Sequence, residues 1–413
     1  MEKFDALLKN YSVFTSSYAT FRSLTTFVSM QAKFYHGLKL GFLGGGQLGR
    51  MAIQEAISLN VFVGVLDPDP EAPCKAISHE FQVGSLMDYQ TVLDFGKKYD
   101  VLTIEIEHVN TQALFELEKQ GVKVFPQPKI LEMVKDKGLQ KLFYAENGIP
   151  TAPFRVLEAN LNLHDLGWKY PFIQKLRTGG YDGKGVIRIN SLDDAGFSEP
   201  SLVEECIDFK KEIAVIVARN VSGQAKAYPL VEMEFDPKAN LVEFLYWPTE
   251  EPPEIQLKAE QIALDLAQKT GIVGLLAVEM FLTSNNQILV NEIAPRTHNS
   301  GHHTIESSPT SQFMQHLRAV LDLPLGSTEM SCPAAMINLL GEEGFSGRVH
   351  YLGLEEVMAW PGVYVHLYGK NNTKPYRKMG HITVTGSSLT EVKAKARCVK
   401  AKIRVMSEEN NQN

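Results

Sequence analysis

Two carboxylates, Glu279 and Glu292, sit on neighbouring apolar runs, LLAVEMFL and QILVNEIAP, joined by the turn-forming string Ser284-Asn285-Asn286-Gln287. This pattern predicts a β-hairpin, because Asn tolerates the positive φ that a tight hairpin turn demands. With Asn285-Asn286 as a two-residue turn, Glu279 falls directly opposite Glu292. Like charges about 5 Å apart repel, and apolar neighbours make them costly to leave uncompensated, so the pair requires a cation. Mg2+, or Mn2+, held by carboxylates and completed by phosphate oxygens is the simplest candidate, and a nucleotide site is its expected context. The alternative is an exposed hairpin with two hydrated acids.

A glycine-rich string, FIQKLRTGGYDGKGVIRI at 172–189, has β-type sequence on both sides. Gly179, Gly180, Gly183 and Gly185 leave backbone amides free to face phosphate oxygens, and Lys175 and Lys184 add positive charge. The bland reading is a flexible surface turn. In SLVEECIDFKKEIAVIVARN, Glu204 and Glu205 end one strand and Glu212 begins the next, unless all three form a hydrated edge. A third glycine run, Gly44-Gly45-Gly46-Gln47-Leu48-Gly49, follows a strand and opens a helix, with Asp67 ending the next strand. Alone it reads as a dinucleotide fingerprint, although any α/β domain can use glycines to pack a helix tightly on its strand. His298, His302 and His303 lack nearby Cys and have neither helical-pair nor finger spacing, which disfavours zinc.

These residues need a large scaffold to position them. The 413-residue chain, with 44% apolar and 22% charged residues, has the composition of a globular protein of two or three domains. A net charge of −7 gives no basic field for nucleic acid or an anionic membrane surface. No apolar run approaches the roughly 20 residues that span a bilayer. Cys74, Cys206, Cys332 and Cys398 are far apart, as free thiols of a reducing compartment would be. Residues 1–37 are Ser- and Thr-rich and acid-poor, and read as a disordered or dispensable extension; translation from Met30 would remove most of it. Strands at LKLGFL, VFVGVLDPD, VLTIEIEHV and GVKVFP predict a small doubly wound sheet over about 38–126.

The order of the pieces carries more than any one of them. A glycine-loop α/β domain, an IPTAPF junction, a lysine-bearing glycine hairpin, a VEE strand end and a double-glutamate hairpin follow in turn, closing on NEIAPRTHNSGHHT. From about Leu38 to Met406 the chain resembles the ATP-grasp superfamily, and within it the N5-carboxyaminoimidazole ribonucleotide synthetases. The strings LGGGQLGRM, GGYDGKG, NEIAPRTHNSGH and YGKNNTKPYRKMGHI carry the likeness. It implies a Rossmann-like N-terminal domain (38–130), an ATP-grasp domain (131–328, with a glycine-loop subdomain at about 150–208), a small C-terminal β-rich domain (329–406) and a tail (407–413).

The resemblance also implies an ATP-dependent C–N ligase of purine biosynthesis. Bicarbonate attacks the γ-phosphate of ATP, and the resulting carboxyphosphate carboxylates the amine of 5-aminoimidazole ribonucleotide. ATP contacts carry over to Lys137, Lys175, Gly180, Tyr181, Asp182, Gly183, Lys184, Gly185, Val186, Glu204, Glu205, Cys206, Ile207, Glu212, Asn291 and Glu292, with Glu279 and Glu292 on the metal. The acceptor falls to Gln47, one of Glu105 or Glu107, Tyr181, Arg296, Asn299, Ser300, Lys370 and Arg377; Asp182, Lys184, Arg296 and His298 surround the reacting carbon. A cytoplasmic homodimer is implied, and a chain ending soon after the C-terminal region suggests that a separate mutase takes the product. Phe235 replaces a His of the family, Lys374 and Tyr376 stand where Arg and Gly are common, and Lys137 replaces an Arg. A nicotinamide oxidoreductase would use Gly44–Gly49 and Asp67 but leaves the other strings unexplained, and a related ligase would keep the ATP site with another acceptor.

Overall fold

Residues 37–159, 167–179, 185–191 and 193–408 are described by the structure, a computed structural model. The extension at 1–36 and the glycine-loop residues Gly180 to Lys184 lie outside the described residues.

The first sheet is parallel, with strands β1 (Lys39–Leu43), β2 (Phe62–Asp67), β3 (Glu80–Val83), β4 (Val101–Ile104) and β5 (Lys123–Val124) in the order β3-β2-β1-β4-β5. β3 escapes the sequence pattern because HEFQV has no clear apolar alternation and none of its four residues is fully buried. Strand order reverses between β1 and β4, and the crevice outside the carboxyl ends at such a switch point is where doubly wound sheets bind ligands. The glycine loop leaves β1 there, and Glu105 and Glu107 follow β4.

A second, antiparallel sheet runs β6 (Phe154–Leu157), β9 (Ser201–Glu205), β7 (Phe172–Leu176), β8 (Val186–Ile189). β7 and β8 form the expected hairpin about the glycine loop, with Gly179 and Gly185 at φ 80° and 74°, where a Cβ is disfavoured. The third sheet is the largest. It runs β15 (Ile288–Ala294), β14 (Gly274–Thr283), β10 (Phe209–Arg219), β12 (Val231–Asp236), β13 (Leu241–Trp247), β16 (Ala334–Leu340), β20 (Lys378–Thr385), β18 (Val363–Leu367), with β11 (Ala225–Ala227) paired to β10. The β-rich C-terminal part therefore extends this same sheet, and β17 (Gly347–Leu352), β19 (Asn372–Thr373) and β21 (Arg404–Ser407) form a small sheet of their own.

The core is built on the helix-facing side of the large sheet, where Ile213, Val215, Leu276, Val278, Met280, Val290 and Ile293 meet Ile255, Ala259, Ala263 and Leu266 of the helix Pro253–Thr270. That helix ends on Gly271 at φ 66°, the left-handed stop that glycine accepts best. With one face of the sheet committed to this core, Glu212 and Glu279 are left on the opposite face, toward the cleft.

Candidate active site

The paired glutamates form as expected, Glu279 opposite Glu292, but by a different route. The hairpin loop holds three residues, since Thr283 and Gln287 pair through a 2.9 Å N–H to carbonyl bond and Asn286 alone takes positive φ at 63°. This places Leu282, Phe281 and Met280 opposite Ile288, Leu289 and Val290, one position off the two-residue-turn register. A β-bulge between Met280 and Glu279 inserts Asn291 and restores the pairing. Val290 and Ile293 both enter the core while Asn291 and Glu292 both turn to the cleft, a parity break that VNEI displays in the sequence.

Lys137 opens the helix Lys137–Glu146, whose N-cap Asp136 accepts from Gly138 and Leu139 amides and is held by Arg177 at 2.6 Å. A lysine at a helix N-terminus opposes the helix dipole, and Glu292 offsets this by pairing with Lys137 Nζ at 2.7 Å. Lys141, one turn on, faces the same way. Lys175 of β7 crosses the cleft, donating to Asn291 Oδ1 at 2.9 Å and pairing with Glu204 at 2.6 Å. Glu204, expected at the ATP, is 3% exposed and spends its carboxylate on Lys141 and Lys175.

Electrostatics separate the acids. Burial, then Glu292 and Glu212, push Glu279 well above the usual carboxylate range. Burial acts in the same direction on Glu292, but Lys137 and Lys175 outweigh it and hold Glu292 low. Glu212 is raised to about 7 by burial, with Lys175 opposing and Glu292 adding to the rise. Two opposed carboxylates with the Asn291 amide are an all-oxygen donor set that fits a hard dication, and Lys137 is the cation stand-in on Glu292. No group of three or more His, Cys, Asp or Glu among the described residues could hold a metal. A dication held by two carboxylates and an amide oxygen has coordination positions left that suit phosphate oxygens and water.

Glu205 donates its amide to Pro153 O at 3.0 Å, and Cys206 and Ile207 lie in the connection from β9 to β10, which carries Glu212. Val186 pairs with Lys175.

His298 follows β15 and is kept neutral, pushed down to about 3 by burial and by Arg296 and Lys378. Its Nδ1 accepts the Ser300 amide at 3.3 Å, which assigns the proton to Nε2, 3.4 Å from Glu279 Oε1. Ser300, expected at the substrate, is 2% exposed and its hydroxyl lies 2.9 Å from His298 Nδ1, so it orients that ring. Asn299 is the reverse case. Both polar atoms of its amide are buried without a hydrogen-bond partner among the described residues, an arrangement that points to a ligand.

Arg296 ties this strand end to the switch-point crevice through Glu107 at 2.9 Å. Glu105 turns to the glycine loop, accepting the Leu48 amide at 3.1 Å, and a Cβ on Gly46 would lie 2.4 Å from its Oε1. Burial raises Glu105 to about 7, against the pull of Arg296, the Leu48 amide and Lys370. Gln47 begins the helix Gln47–Ser58 beside it. Asp67, the would-be ribose acid of a dinucleotide site, accepts the Gly45 amide at 2.6 Å and the Asp69 amide at 2.8 Å, so it fastens the loop. The nicotinamide reading loses its key residue.

From the C-terminal string, Lys370 donates to Lys378 O at 2.8 Å and Arg377 to Asn372 O at 2.6 Å. Sequence reasoning missed Lys378, the cation of that string that acts on both Glu279 and His298. Two adjacent basic residues do not reveal which one the strand turns inward. Phe235, at the family's histidine position, packs on the apolar cluster of Ala214, Val231 and Met233. Tyr376, at a common glycine position, has φ 63°.

Two antiparallel sheets facing one site, Lys175 on the smaller and the opposed glutamates on the larger with Lys137 reaching in from a helix, define an ATP-grasp protein. Comparisons agree along the chain: residues 38–135 match the ribonucleotide synthetase preATP-grasp domain, 142–313 the ATP-grasp domain, and 334–395 the phosphoribosylaminoimidazole carboxylase C-terminal domain. The N5-carboxyaminoimidazole ribonucleotide synthase of Synechococcus elongatus is 36% identical over 89% of this chain and 95% of its own. The Thermotoga maritima synthetase structure superposes with a TM-score of 0.83 at 41% identity, covering 90% of this chain and all of that one. An Aspergillus clavatus synthase structure, in complex with ADP and 5-aminoimidazole ribonucleotide, gives 0.80 at 36% identity, covering 88% and 98%. The chain belongs to the N5-carboxyaminoimidazole ribonucleotide synthetase family. It spans only 65% of the 39%-identical chloroplastic phosphoribosylaminoimidazole carboxylase of Vigna aconitifolia, covering 86% of this chain.

Proposed function

We propose that this chain carboxylates 5-aminoimidazole ribonucleotide on its exocyclic nitrogen, consuming ATP and bicarbonate and releasing ADP and phosphate. One observation carries the reading: the opposed Glu279 and Glu292, ringed by Lys137 and Lys175, are joined through His298 and Arg296 to the crevice where Glu107 and the glycine loop sit. A phosphate site and an acceptor site thus share one wall.

ATP binds with its phosphates against Lys137 and Lys175 and its ribose toward Glu212. Glu279 and Glu292 would hold Mg2+, which when bound supplies positive charge to the β- and γ-phosphates. A bicarbonate oxygen attacks the γ-phosphorus, the bond to the β-phosphate oxygen breaks, and ADP leaves with that electron pair. Catalysis of this step is positioning and neutralisation of spreading negative charge by the lysines and Arg296. The acceptor amine then attacks the carboxyl carbon, the C–O bond to phosphate breaks, and the amine gives up a proton. Neutral His298 donates a hydrogen bond from Nε2 without carrying charge into the anhydride, and Asn299 offers its buried amide to the acceptor. Asp182 is our candidate for the proton acceptor, and Tyr181 and Lys184 for further contacts. Of the two N-terminal acids, Glu107 orients Arg296 and Glu105 closes the glycine loop with Gln47 toward the acceptor ribose, while Lys370 and Arg377 receive its phosphate. Product transfer to a mutase, a homodimeric state and a reducing compartment such as the cytoplasm, in keeping with four free cysteines, complete the proposal.

The test is ADP release with Mg2+, ATP and bicarbonate, with and without 5-aminoimidazole ribonucleotide, for the native chain and Glu292→Ala. Strong stimulation by the ribonucleotide, lost in the variant, is expected. ATP binding without stimulation would assign the site to a ligase with another acceptor.

A further inference from the structure

Beneath the phosphate-facing lysines lies a buried charge that the proposed reaction does not use. Lys141 is 3% exposed, where burial draws its pKa down and the Glu204 carboxylate beside it acts to keep the ammonium form. Its Nζ pairs with Glu204 Oε1 and also meets the Thr151 hydroxyl, which in turn donates to Val290 O at 2.6 Å. The other oxygen of Glu204 pairs with Lys175 at 2.6 Å, and Lys175 reaches on to Asn291 at 2.9 Å. Lys141, Glu204 and Lys175 form an unbroken line from the interior to the cleft, with one carboxylate shared between two ammonium groups.

We propose that Lys141 is a positioning residue for the nucleotide: by claiming half of Glu204, it leaves Lys175 with net positive charge directed at the phosphates. This rests on the reading of the cleft as an ATP site. A carboxylate with one cationic neighbour neutralises it, whereas one shared by two cannot neutralise both. Lys175 therefore enters the cleft as a cation that Glu204 orients without cancelling. An interior ammonium is costly to bury, and an apolar side chain of similar length would fill the space without that cost. The simplest return on it is electrostatic. A purely structural pair between Lys141 and Glu204 would need no third member, yet Glu204 turns its second oxygen to the cleft lysine.

The experiment measures MgATP binding by calorimetry, together with Tm, for the native chain, Lys141→Met, Lys141→Gln and the charge-silent double variant Lys141→Gln/Glu204→Gln. Both single variants leave Lys175 alone with Glu204, and the MgATP Kd is expected to rise about tenfold, a coupling of ordinary size for groups in one network. The double variant frees Lys175, and its Kd is expected to return to within about threefold of native whether or not its Tm recovers. Lys141→Gln keeps a polar group at Thr151, so the test survives if Lys141→Met fails to fold. A Kd within twofold of native in the single variants would overturn the proposal. So would a loss that Glu204→Gln does not relieve, because that is the signature of a structural role. Native chain that binds MgATP but shows no ribonucleotide stimulation would count against the proposed acceptor alone; native chain that fails to bind MgATP would overturn both.

Discussion

At the residue scale, the decisive contrast is between two glutamates that face each other and differ in charge preference. Glu292 is drawn low by Lys137 and Lys175, and Glu279 is pushed high by burial beside it. Removing Glu292 strips Lys137 of its partner and Glu279 of its repelling neighbour in one change. Glu292→Ala should lower ribonucleotide-stimulated ADP release by about 100-fold or more, the scale seen when one preorganised electrostatic group is lost. An initial-rate assay under saturating ATP checks this. Glu105 offers a separate, pH-based test. Its folded-state pKa is raised from 4.5 to about 7, so between these values the folded protein holds more protons than the unfolded chain, and this group's contribution to stability falls as pH rises. Glu105→Gln removes that slope while keeping an acceptor for the Leu48 amide. Thermal melts at intervals from pH 4.5 to 7.5 should show the variant gaining Tm relative to the native chain as pH rises to 7 and a constant difference beyond; a pH-independent difference would count against the buried, raised carboxyl.

At the element scale, the β14–β15 hairpin shows what sequence pattern can and cannot deliver. Two apolar runs about an Asn-rich turn announce the hairpin, and the facing glutamates were legible from it. The turn was not, because Ser284-Asn285-Asn286 accommodates a three-residue loop with Asn286 at φ 63° as readily as a two-residue one. The one-residue error cancelled only because Asn291 bulges. The sequence carries a trace of the bulge that the two-residue-turn reading does not use: Ile288 and Val290 share a face by alternation, and Ile293 rejoins it out of phase. Deleting Asn291 should convert β15 into a regular strand, since the pairs on the turn side already have the register that the shortened strand would continue. Glu292 would then still face Glu279, while Lys175 would lose its Asn291 partner. The expected result is a folded chain, with a Tm lowered by only a few degrees, as about 1 kcal/mol for one lost hydrogen bond implies. MgATP affinity should weaken several-fold, read by titration calorimetry. Unchanged affinity would remove Asn291 from the nucleotide site.

At the scale of the molecule, three distant stretches of sequence meet at one site: Glu105 and Glu107 after β4, Glu279 to Arg296 on the hairpin, and the YGK to RKMGH string near β20. The succession of strings made this convergence readable in outline, because each segment has its own chemical signature. Its geometry was not readable, because a sheet's neighbours are chosen by long-range pairing that no local period encodes. The expected β-rich C-terminal region is legible in PAAMINLLG and VYVHLYGK; that β16 adds to β13, carrying β20 and β18 into the large sheet, is not. This junction leads us to expect that the proposed ATP site depends on the C-terminal part. Phe244 and Tyr246 of β13 are 1% exposed and packed against Ala335, Ile337, Met379, Ile382 and Val392. Asn338 adds a 2.7 Å bond to Val242 O, and Lys378 brings its charge toward Glu279 and His298. A chain truncated after Pro333 would bare the β13 edge and expose both aromatic rings. At about 1.5–3 kcal/mol for each ring, that approaches the roughly 5–15 kcal/mol that holds a native domain folded, before the lost strand pairing is counted. An unpaired apolar edge also invites association with other chains. The truncated protein should therefore aggregate on size-exclusion chromatography and show no cooperative melt, with or without MgATP. A monodisperse fragment that melts cooperatively and is stabilised by MgATP would mean that the first 333 residues form the nucleotide site unaided, and that the C-terminal strands serve the acceptor alone.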